Sequence, residues 1–309
     1  MKNKRIAVVM GGPSAEREVS LNTGQAVLSA LLAKGYDAVG IDLNPAQFVD
    51  QLKAARVDIV FNAMHGRFGE DGALQGTLDL LGIPYTGSGV LASAIAMDKT
   101  ISKRLFLSAG IPTPQALCFE KNREITALTA EIRREFSLPV VVKAASQGSS
   151  IGVFIVMEDE QLEEAVREAF RFSDRIVVEE FIKGKELTVA VINGDDTEAL
   201  PVIEIVPHSG RYDYRSKYTK GCTDYIVPAP LTSALTANVQ QIALTAVTLL
   251  GCRGVSRVDM MMDDNGNAFV LEVNTIPGMT ATSLVPKAAA AIGLDFPALC
   301  ERLLLMAAV

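Results

Sequence analysis

One stretch constrains the rest of the chain: residues 254–274, GVSRVDMMMDDNGNAFVLEVN. Two runs rich in apolar residues flank Asn265-Gly266. That pair is the strongest short hairpin signal, because a two-residue type I′ turn needs φ > 0 at both centres. Such a turn sets the register. Asp264 pairs with Asn267, Met262 with Phe269, Asp259 with Glu272 and Arg257 with Asn274. Side chains alternate between faces along a strand. One face of the hairpin then carries Arg257, Asp259, Met261, Glu272 and Asn274. The other carries Val258, Met260, Met262, Phe269, Leu271 and Val273, and suits a core.

Two carboxylates directly opposite on adjacent strands repel. A divalent cation between them reverses the sign, and the oxygen donors Asp, Glu and Asn suit Mg²⁺ better than zinc or copper. Arg257 beside them can hold a transferring phosphate or an oxyanion. The competing reading is a solvated outer face on which charges simply meet water.

The chain around this hairpin is globular. Its 309 residues suggest two or three domains, and 49% are hydrophobic against 21% charged. A net charge of −7 argues against a nucleic-acid binder. Cys118, Cys222, Cys252 and Cys300 lie far apart, and His65 and His208 are the only histidines, so a zinc site is not expected. Scattered cysteines fit reduced thiols and a cytoplasmic location. The apolar run Ile6–Met10 after Lys2, Lys4 and Arg5 is too short for a signal peptide, and no stretch is long and apolar enough to cross a bilayer.

The N-terminal third alternates strands (Arg5–Met10, Asp37–Asp42, Val57–Ala63) with helical segments (Glu18–Lys34, Pro45–Ala55), which argues for an open parallel sheet. Ligands bind such sheets at the carboxyl ends of the strands. Two polar sets fall there: Ser14, Glu16 and Glu18 after the first strand, and His65-Gly66-Arg67-Phe68-Gly69-Glu70-Asp71-Gly72 after the third. His65 either serves a ligand or bonds its own loop. Gly87-Ser88-Gly89 fits a glycine turn opening a helix towards Met97 better than a dinucleotide fingerprint, because the preceding strand is short and no acid follows at the required distance.

In the middle third, helices are expected over Lys99–Ala109, Ile125–Phe136 and Gln161–Phe172. A strand ends in Lys143, the small-residue loop Ala145–Ser150 follows, and a strand over Gly152–Val156 comes next. A Gly/Ser loop lets backbone N–H groups and hydroxyls approach phosphates. Gly148-Ser149-Ser150-Ile151-Gly152 also matches the nucleophile elbow of serine hydrolases, but that motif needs a helix after the turn. The strand Ile176–Ile182 mixes acids and apolar residues and suits the wall of an adenine pocket. In the last third, Lys185–Asn193 and Leu200–Val206 read as strands, and Tyr212–Tyr218 as a lid-like loop. Thr232–Leu250 and Phe296–Ala307 read as helices on either side of the hairpin.

Seven motifs then fall in order along the chain: Gly11–Ser20; His65-Gly66-Arg67 with Gly69–Gly72; Met97-Asp98-Lys99; Gly148-Ser149-Ser150; Tyr212-Asp213-Tyr214 with Lys217-Tyr218; Arg257-Val258-Asp259; and Glu272–Thr275 with Pro277–Thr280. Together they resemble the D-alanine–D-alanine ligases of the ATP-grasp superfamily, essentially end to end. One departure is Ala144 after Lys143, where the family usually has proline.

The resemblance implies an α/β fold, α+β in parts, with three domains. Residues 1–97 would form the open-sheet substrate domain, 98–182 the central domain with the glycine-rich loop, and 183–309 the C-terminal domain with lid and metal site, the last two clasping ATP. It implies ATP-dependent joining of two D-alanines through an acyl phosphate, for peptidoglycan precursors. Asp259, Glu272 and Asn274 would hold two Mg²⁺ (or Mn²⁺). Lys99, Lys143 and Lys217 would contact phosphates, with Ser149 and Ser150 covering them. Glu179, Glu180, Phe181, Ile182 and Glu186 would hold adenosine. Glu16 would take the ammonium of the first D-alanine, with His65 near its carboxylate. Arg257 and the Gly278 N–H would stabilise the tetrahedral intermediate, and Ser283 and Leu284 would bind the second carboxylate. Tyr218 would link the lid to Glu16 and Ser149. The resemblance further implies a homodimer, and no membrane or nucleic-acid partner. A relative making an ester or mixed product, and a nucleotide-binding regulator without turnover, are the alternatives.

Overall fold

The computed structural model describes residues 1–148, 151–209, 219 and 221–307. Ser149, Ser150, Lys217 and Tyr218 lie outside the described residues, as does the lid segment Tyr212–Tyr218.

The first layer is a parallel sheet. β1 (Arg5–Met10), α1 (Arg17–Ala33), β2 (Asp37–Asp42), α2 (Phe48–Ala55) and β3 (Ile59–Asn62) form two crossover connections, with strand order β2-β1-β3. Ile6, Ala7, Val8 and Val9 are wholly buried, as expected for a parallel strand covered on both faces. α3 (Ala73–Leu81) and α4 (Val90–Met97) follow, then α5 (Lys99–Ser108), whose N-cap Asp98 accepts from the N–H groups of Thr100 and Ile101.

The second sheet is antiparallel. It is built from β4 (Ala116–Glu120), α6 (Ile125–Glu135), β5 (Val140–Ala144), β6 (Val153–Val156), α7 (Leu162–Phe172) and β7 (Arg175–Glu180), in strand order β4-β7-β5-β6. α6 and α7 cover one face with Leu128, Ile132, Leu162, Val166 and Phe170. The other face is left to the site. A strand, β6, follows the glycine-rich loop, so the hydrolase elbow is not formed.

The third sheet is also antiparallel: β8 (Gly184–Asn193), β9 (Thr197–Ala199), β10 (Ile203–Pro207), β11 (Thr223–Ile226), β12 (Gly254–Asp263) and β13 (Ala268–Asn274), ordered β11-β10-β8-β12-β13 with β9 on β8. α8 (Ser233–Leu249) packs on one face through Val239, Ala243, Ala246 and Val247. α9 (Leu284–Ala291) and α10 (Phe296–Met306) pack on the other, where Ala190, Ile192, Val285, Leu299 and Leu303 share one core with Ile6, Val8 and Phe61. The first and third sheets are thereby locked together. α4 also turns away from the first sheet and buries Ala92 and Ala96 against Val189 and Val258.

Two expectations fail in detail. The strand expected over Leu200–Val206 is shorter, because Pro201 cannot donate to a ladder; β9 ends at Ala199 and β10 begins at Ile203. The hairpin turn is not the two-residue type. Asp263 N–H bonds Asn267 C=O at 3.0 Å, and Gly266 N–H bonds Asp263 C=O at 3.0 Å, so three residues make the loop. Gly266 has φ +85°, while Asn265 is absent from the positive-φ residues. The Asp263 carboxylate explains this choice: its Oδ1 accepts from the N–H groups of Asn265 (2.9 Å) and Asn267 (2.8 Å). Met262 therefore pairs with Ala268, not Phe269, and Asp264 does not pair with Asn267. A bulge between Asp259 and Met260 restores the expected frame, and Asp259↔Glu272 and Arg257↔Asn274 pair as read. Consequently Ala268 and Val270 enter the core in place of Phe269 and Leu271.

Candidate active site

Two cavities meet at the hairpin. One of about 520 Å³ lies between the second and third sheets and is lined by Lys99, Lys143, Glu179, Glu180, Phe181, Ile182, Glu186, Asp259, Met261, Leu271 and Glu272, among others. The other, of about 410 Å³, lies between the first sheet and the third and is lined by Glu16, His65, Glu70, Gly148, Arg257, Glu272, Asn274, Gly278, Ser283 and Leu284. Glu272 belongs to both. Every residue to which the resemblance gives a role, within the described part of the chain, lines one or both cavities. Glu18, expected beside Glu16, is exposed on α1 and is not among the lining residues. A third hollow of about 470 Å³ near Asp79, Asn193 and Arg253 holds none of the expected residues.

The larger cavity has apolar walls and a cationic floor. Val141, Val153, Ile155, Ile205, Met261 and Leu271 line it alongside the lysines. Lys143 and Glu179 sit on adjacent strands at a diagonal, since Lys143 pairs with Val177 and Val141 with Glu179. Their side chains bond at 2.7 Å. Lys103, which the sequence reading missed, approaches the same carboxylate at 3.3 Å. Burial alone would raise the pKa of Glu179, but Lys143 and Lys103 overcome it and hold the carboxyl below its usual range. Lys99 opens α5 and reaches Glu272 at 2.9 Å and the Gln147 carbonyl at 2.7 Å. Burial opposes its charge, yet the Glu272 carboxylate keeps its pKa above the ordinary lysine value. The missed lysine had a signal: Lys99 and Lys103 are four apart on one helix, hence on one face.

The expected repulsion between Asp259 and Glu272 is met by cations. Arg257 donates to Asp259 through Nε (2.8 Å) and Nη2 (2.7 Å), a bidentate fork between residues two apart on β12. Thr188 adds a bond to Asp259 Oδ1 at 2.6 Å, and Asn274 Nδ2 donates to Oδ2 at 3.0 Å. Among the described residues no group of three His, Cys, Asp or Glu gathers as a metal cage. Two carboxylates and an amide oxygen fit Mg²⁺ in the role where substrate phosphates supply the remaining oxygens, and the lysine and arginine already on those carboxylates mark them as a site that takes positive charge.

In the smaller cavity the glycine loop comes close to Glu16: a Cβ on Gly148 would lie 2.9 Å from Glu16 Oε2. Ser14 Oγ accepts the Glu16 N–H at 3.1 Å and donates to His65 C=O at 2.7 Å, which fixes the first loop against the third. His65 does not bond its own loop through its ring; Nε2 lies 3.0 Å from Thr23 Oγ1 on α1. Burial, then the Arg257 charge, push its pKa down to about 4, with a backbone bond to Ile276 opposing them, so it is neutral near pH 7. Glu70 Oε2 accepts the Gly66 N–H at 2.6 Å. Burial and the neighbouring Glu16 push its pKa up to about 8. At the far wall, Ser283 Oγ accepts the Thr280 N–H at 3.0 Å, and α9 begins at Leu284 with its N-terminus towards the cavity. A helix N-terminus there favours a carboxylate.

Two family patterns match the chain: "D-ala D-ala ligase N-terminus" over residues 44–88 and "D-ala D-ala ligase C-terminus" over residues 105–305. A D-alanine–D-alanine ligase of Pelotomaculum thermopropionicum is 47% identical over 307 residues, covering 98% of this chain and 96% of its own. Among solved structures, a D-alanine–D-alanine ligase from Bacillus anthracis complexed with ATP superposes with a TM-score of 0.86 at 36% identity, covering 99% of this chain and 97% of that one. The VanG D-Ala:D-Ser ligase from Enterococcus faecalis does so with a TM-score of 0.84 at 33% identity, covering 98% and 99%. The two antiparallel sheets facing each other across the larger cavity are the ATP-grasp arrangement. The chain belongs to the D-alanine–D-alanine ligase family.

Proposed function

We propose that the larger cavity takes ATP, that the smaller takes two D-alanines, and that the shared wall at Glu272 is where phosphoryl transfer occurs. The enzyme is an ATP-dependent ligase that makes D-alanyl-D-alanine for peptidoglycan precursors. ATP phosphorylates the carboxylate of one D-alanine, and the amine of the second attacks the acyl phosphate. The observation that carries the site assignment is the continuity of the two cavities at Glu272.

The roles follow from position and charge. Lys99 and Lys143 neutralise phosphate oxygens, with Lys217 and the hydroxyls of Ser149 and Ser150 joining them by motif. Glu180, Phe181, Ile182 and Glu186 hold adenosine, whereas the Glu179 carboxylate is spent on lysines and can offer the base only its backbone. Glu16 takes the ammonium of the first D-alanine. Arg257 and the Gly278 N–H stabilise the oxyanion of the tetrahedral intermediate, and Ser283 and Leu284 at the start of α9 take the second carboxylate. By motif, Tyr218 would link the lid to Glu16 and Ser149, and a closed lid would exclude water from the acyl phosphate. Two Mg²⁺ (or Mn²⁺) on Asp259, Glu272 and Asn274 would supply charge neutralisation at the transferring phosphate.

We also propose the divisions 1–97, 98–182 and 183–309 as domains, a homodimer and a cytoplasmic location. The three sheets motivate the divisions. The exposed Leu80 and Leu91 on the neighbouring helices α3 and α4 support the dimer. No helix among the described residues is long and apolar enough to cross a membrane.

The test is phosphate release from ATP and Mg²⁺ with D-alanine, L-alanine, D-serine or D-lactate as acceptor, and product identification. Release with D-alanine alone and dipeptide as product are expected. Preferred use of D-serine or D-lactate as second substrate would move the assignment to a mixed-product ligase.

A further inference from the structure

Lys103 touches neither cavity, and its side chain is 3% exposed. A buried ammonium is costly unless every proton finds an acceptor. Lys103 Nζ hydrogen-bonds Thr113 Oγ1 at 2.6 Å and the Pro114 C=O at 3.2 Å, and forms an ion pair with Glu179 Oε1 at 3.3 Å. Glu179 gives its other oxygen to Lys143, which does line the larger cavity. Thr113 in turn donates to the Val270 carbonyl at 2.7 Å, on the strand that carries Glu272 two residues on. One side chain on α5 is thus joined to β7, through β7 to the Lys143 ammonium on β5, and through Thr113 to β13.

From this we infer that Lys103 is a positioning residue for the nucleotide: it completes the Glu179 carboxylate so that Lys143 is held at one place in the cavity, and it fixes the second sheet against the strand bearing Glu272. The inference rests on the reading of the larger cavity as the ATP site. Charge adds a second consequence. Two ammoniums share one carboxylate, so the buried trio carries net positive charge until an anion arrives. Phosphate binding relieves that excess; removing Lys103 removes it beforehand and releases Glu179 to neutralise Lys143 fully.

The experiment compares wild type, Lys103→Met, Glu179→Gln and the double variant for KM(ATP), KM(D-alanine), kcat and the rise in Tm on adding ADP with Mg²⁺. For Lys103→Met, KM(ATP) should rise roughly tenfold, the scale of weakening one charge-assisted contact between the less firmly placed Lys143 and the phosphates. The ADP-induced rise in Tm should shrink, and KM(D-alanine) should stay within about twofold. Because Lys103 reaches Lys143 only through Glu179, the double variant should raise KM(ATP) by less than the product of the two single effects. An unchanged KM(ATP), an equal rise in both KM values, or additive effects in the double variant would each overturn the inference while leaving the ATP site standing. Wild type that shows neither an ADP-induced rise in Tm nor ATP-dependent turnover would overturn the ATP reading and this inference with it. Where Lys103→Met does not fold, Thr113→Val decides: it loosens the same ammonium, and KM(ATP) should rise by a smaller factor, no rise being a refutation.

Discussion

His65 offers a measurement that separates a neutral buried ring from a charged surface one. The side chain is 4% exposed, and its pKa is pushed down to about 4 by burial and by Arg257. The unfolded chain binds that proton near pH 6.5, so between pH 6.5 and 4 the unfolded state holds more protons than the folded state. Stability therefore falls as pH drops through this window, and the His65 contribution to the loss is complete below about pH 4. A shift of roughly 2.5 units corresponds to about 3 kcal/mol at the acid end. For a cooperative unit of 309 residues that amounts to about 5 °C in Tm. His65→Gln keeps a polar group facing Thr23 and carries no charge at any pH. Urea unfolding of both proteins at intervals from pH 8 to 4.5 isolates the term, because other carboxylates titrate alike in the two. The difference in stability between wild type and variant should be flat above pH 7 and should move in favour of the variant by most of those ~3 kcal/mol on acidification. A difference that stays flat over the whole range would refute a neutral His65, and one that moved in favour of wild type on acidification would show an imidazolium stabilised in the folded state.

Two further outcomes follow from the site. Gly148→Ala places a methyl 2.9 Å from Glu16 Oε2, so Glu16 must shift; KM(D-alanine) should rise by about tenfold or more with little change in Tm, and an unchanged KM would separate the loop from the first substrate. Asp259→Asn keeps the shape but removes one charge from the set facing Arg257, Glu272 and Asn274; the Mg²⁺ concentration for half-maximal rate should rise by roughly tenfold or more, partly recovered at excess Mg²⁺, and an unaltered Mg²⁺ dependence would remove Asp259 from the metal role.

The sequence was most legible where one local rule acts alone. The buried runs Ile6–Val9 and Val140–Lys143 and the long helix ending at Leu249 appear within a residue or two of their expected bounds. α3 and α9 carry no such signal because each is short and flanked by glycine or proline, and β4 is only five residues between Pro114 and the polar run 121–124; they exist through tertiary contacts such as Leu78 and Phe119 in the core. Lys103 escaped for a different reason. Its spacing puts it on the face of Lys99, but a lysine on a helix ordinarily reads as a solvated charge, and the approach of Glu179 from another strand is what buries it.

The hairpin shows how a wrong turn can leave the right chemistry. A three-residue loop instead of two slips the ladder by one, and in a uniform hairpin that slip would carry Glu272 and Asn274 to the core face. The bulge cancels it after Met260↔Val270, so Asp259 still faces Glu272. Neither feature was predictable from alternation: the loop depends on the Asp263 carboxylate gathering the N–H groups of Asn265 and Asn267, and the bulge on where the ladder can give. The bulge also does something that alternation cannot. It turns the adjacent residues Leu271 and Glu272 to the same side, and both line the larger cavity. A cavity for a nucleotide needs an apolar surface for the base and a carboxylate near the phosphates within a few ångströms of each other. On a regular strand, residues 271 and 272 would point apart, and one of the two would be lost to the core.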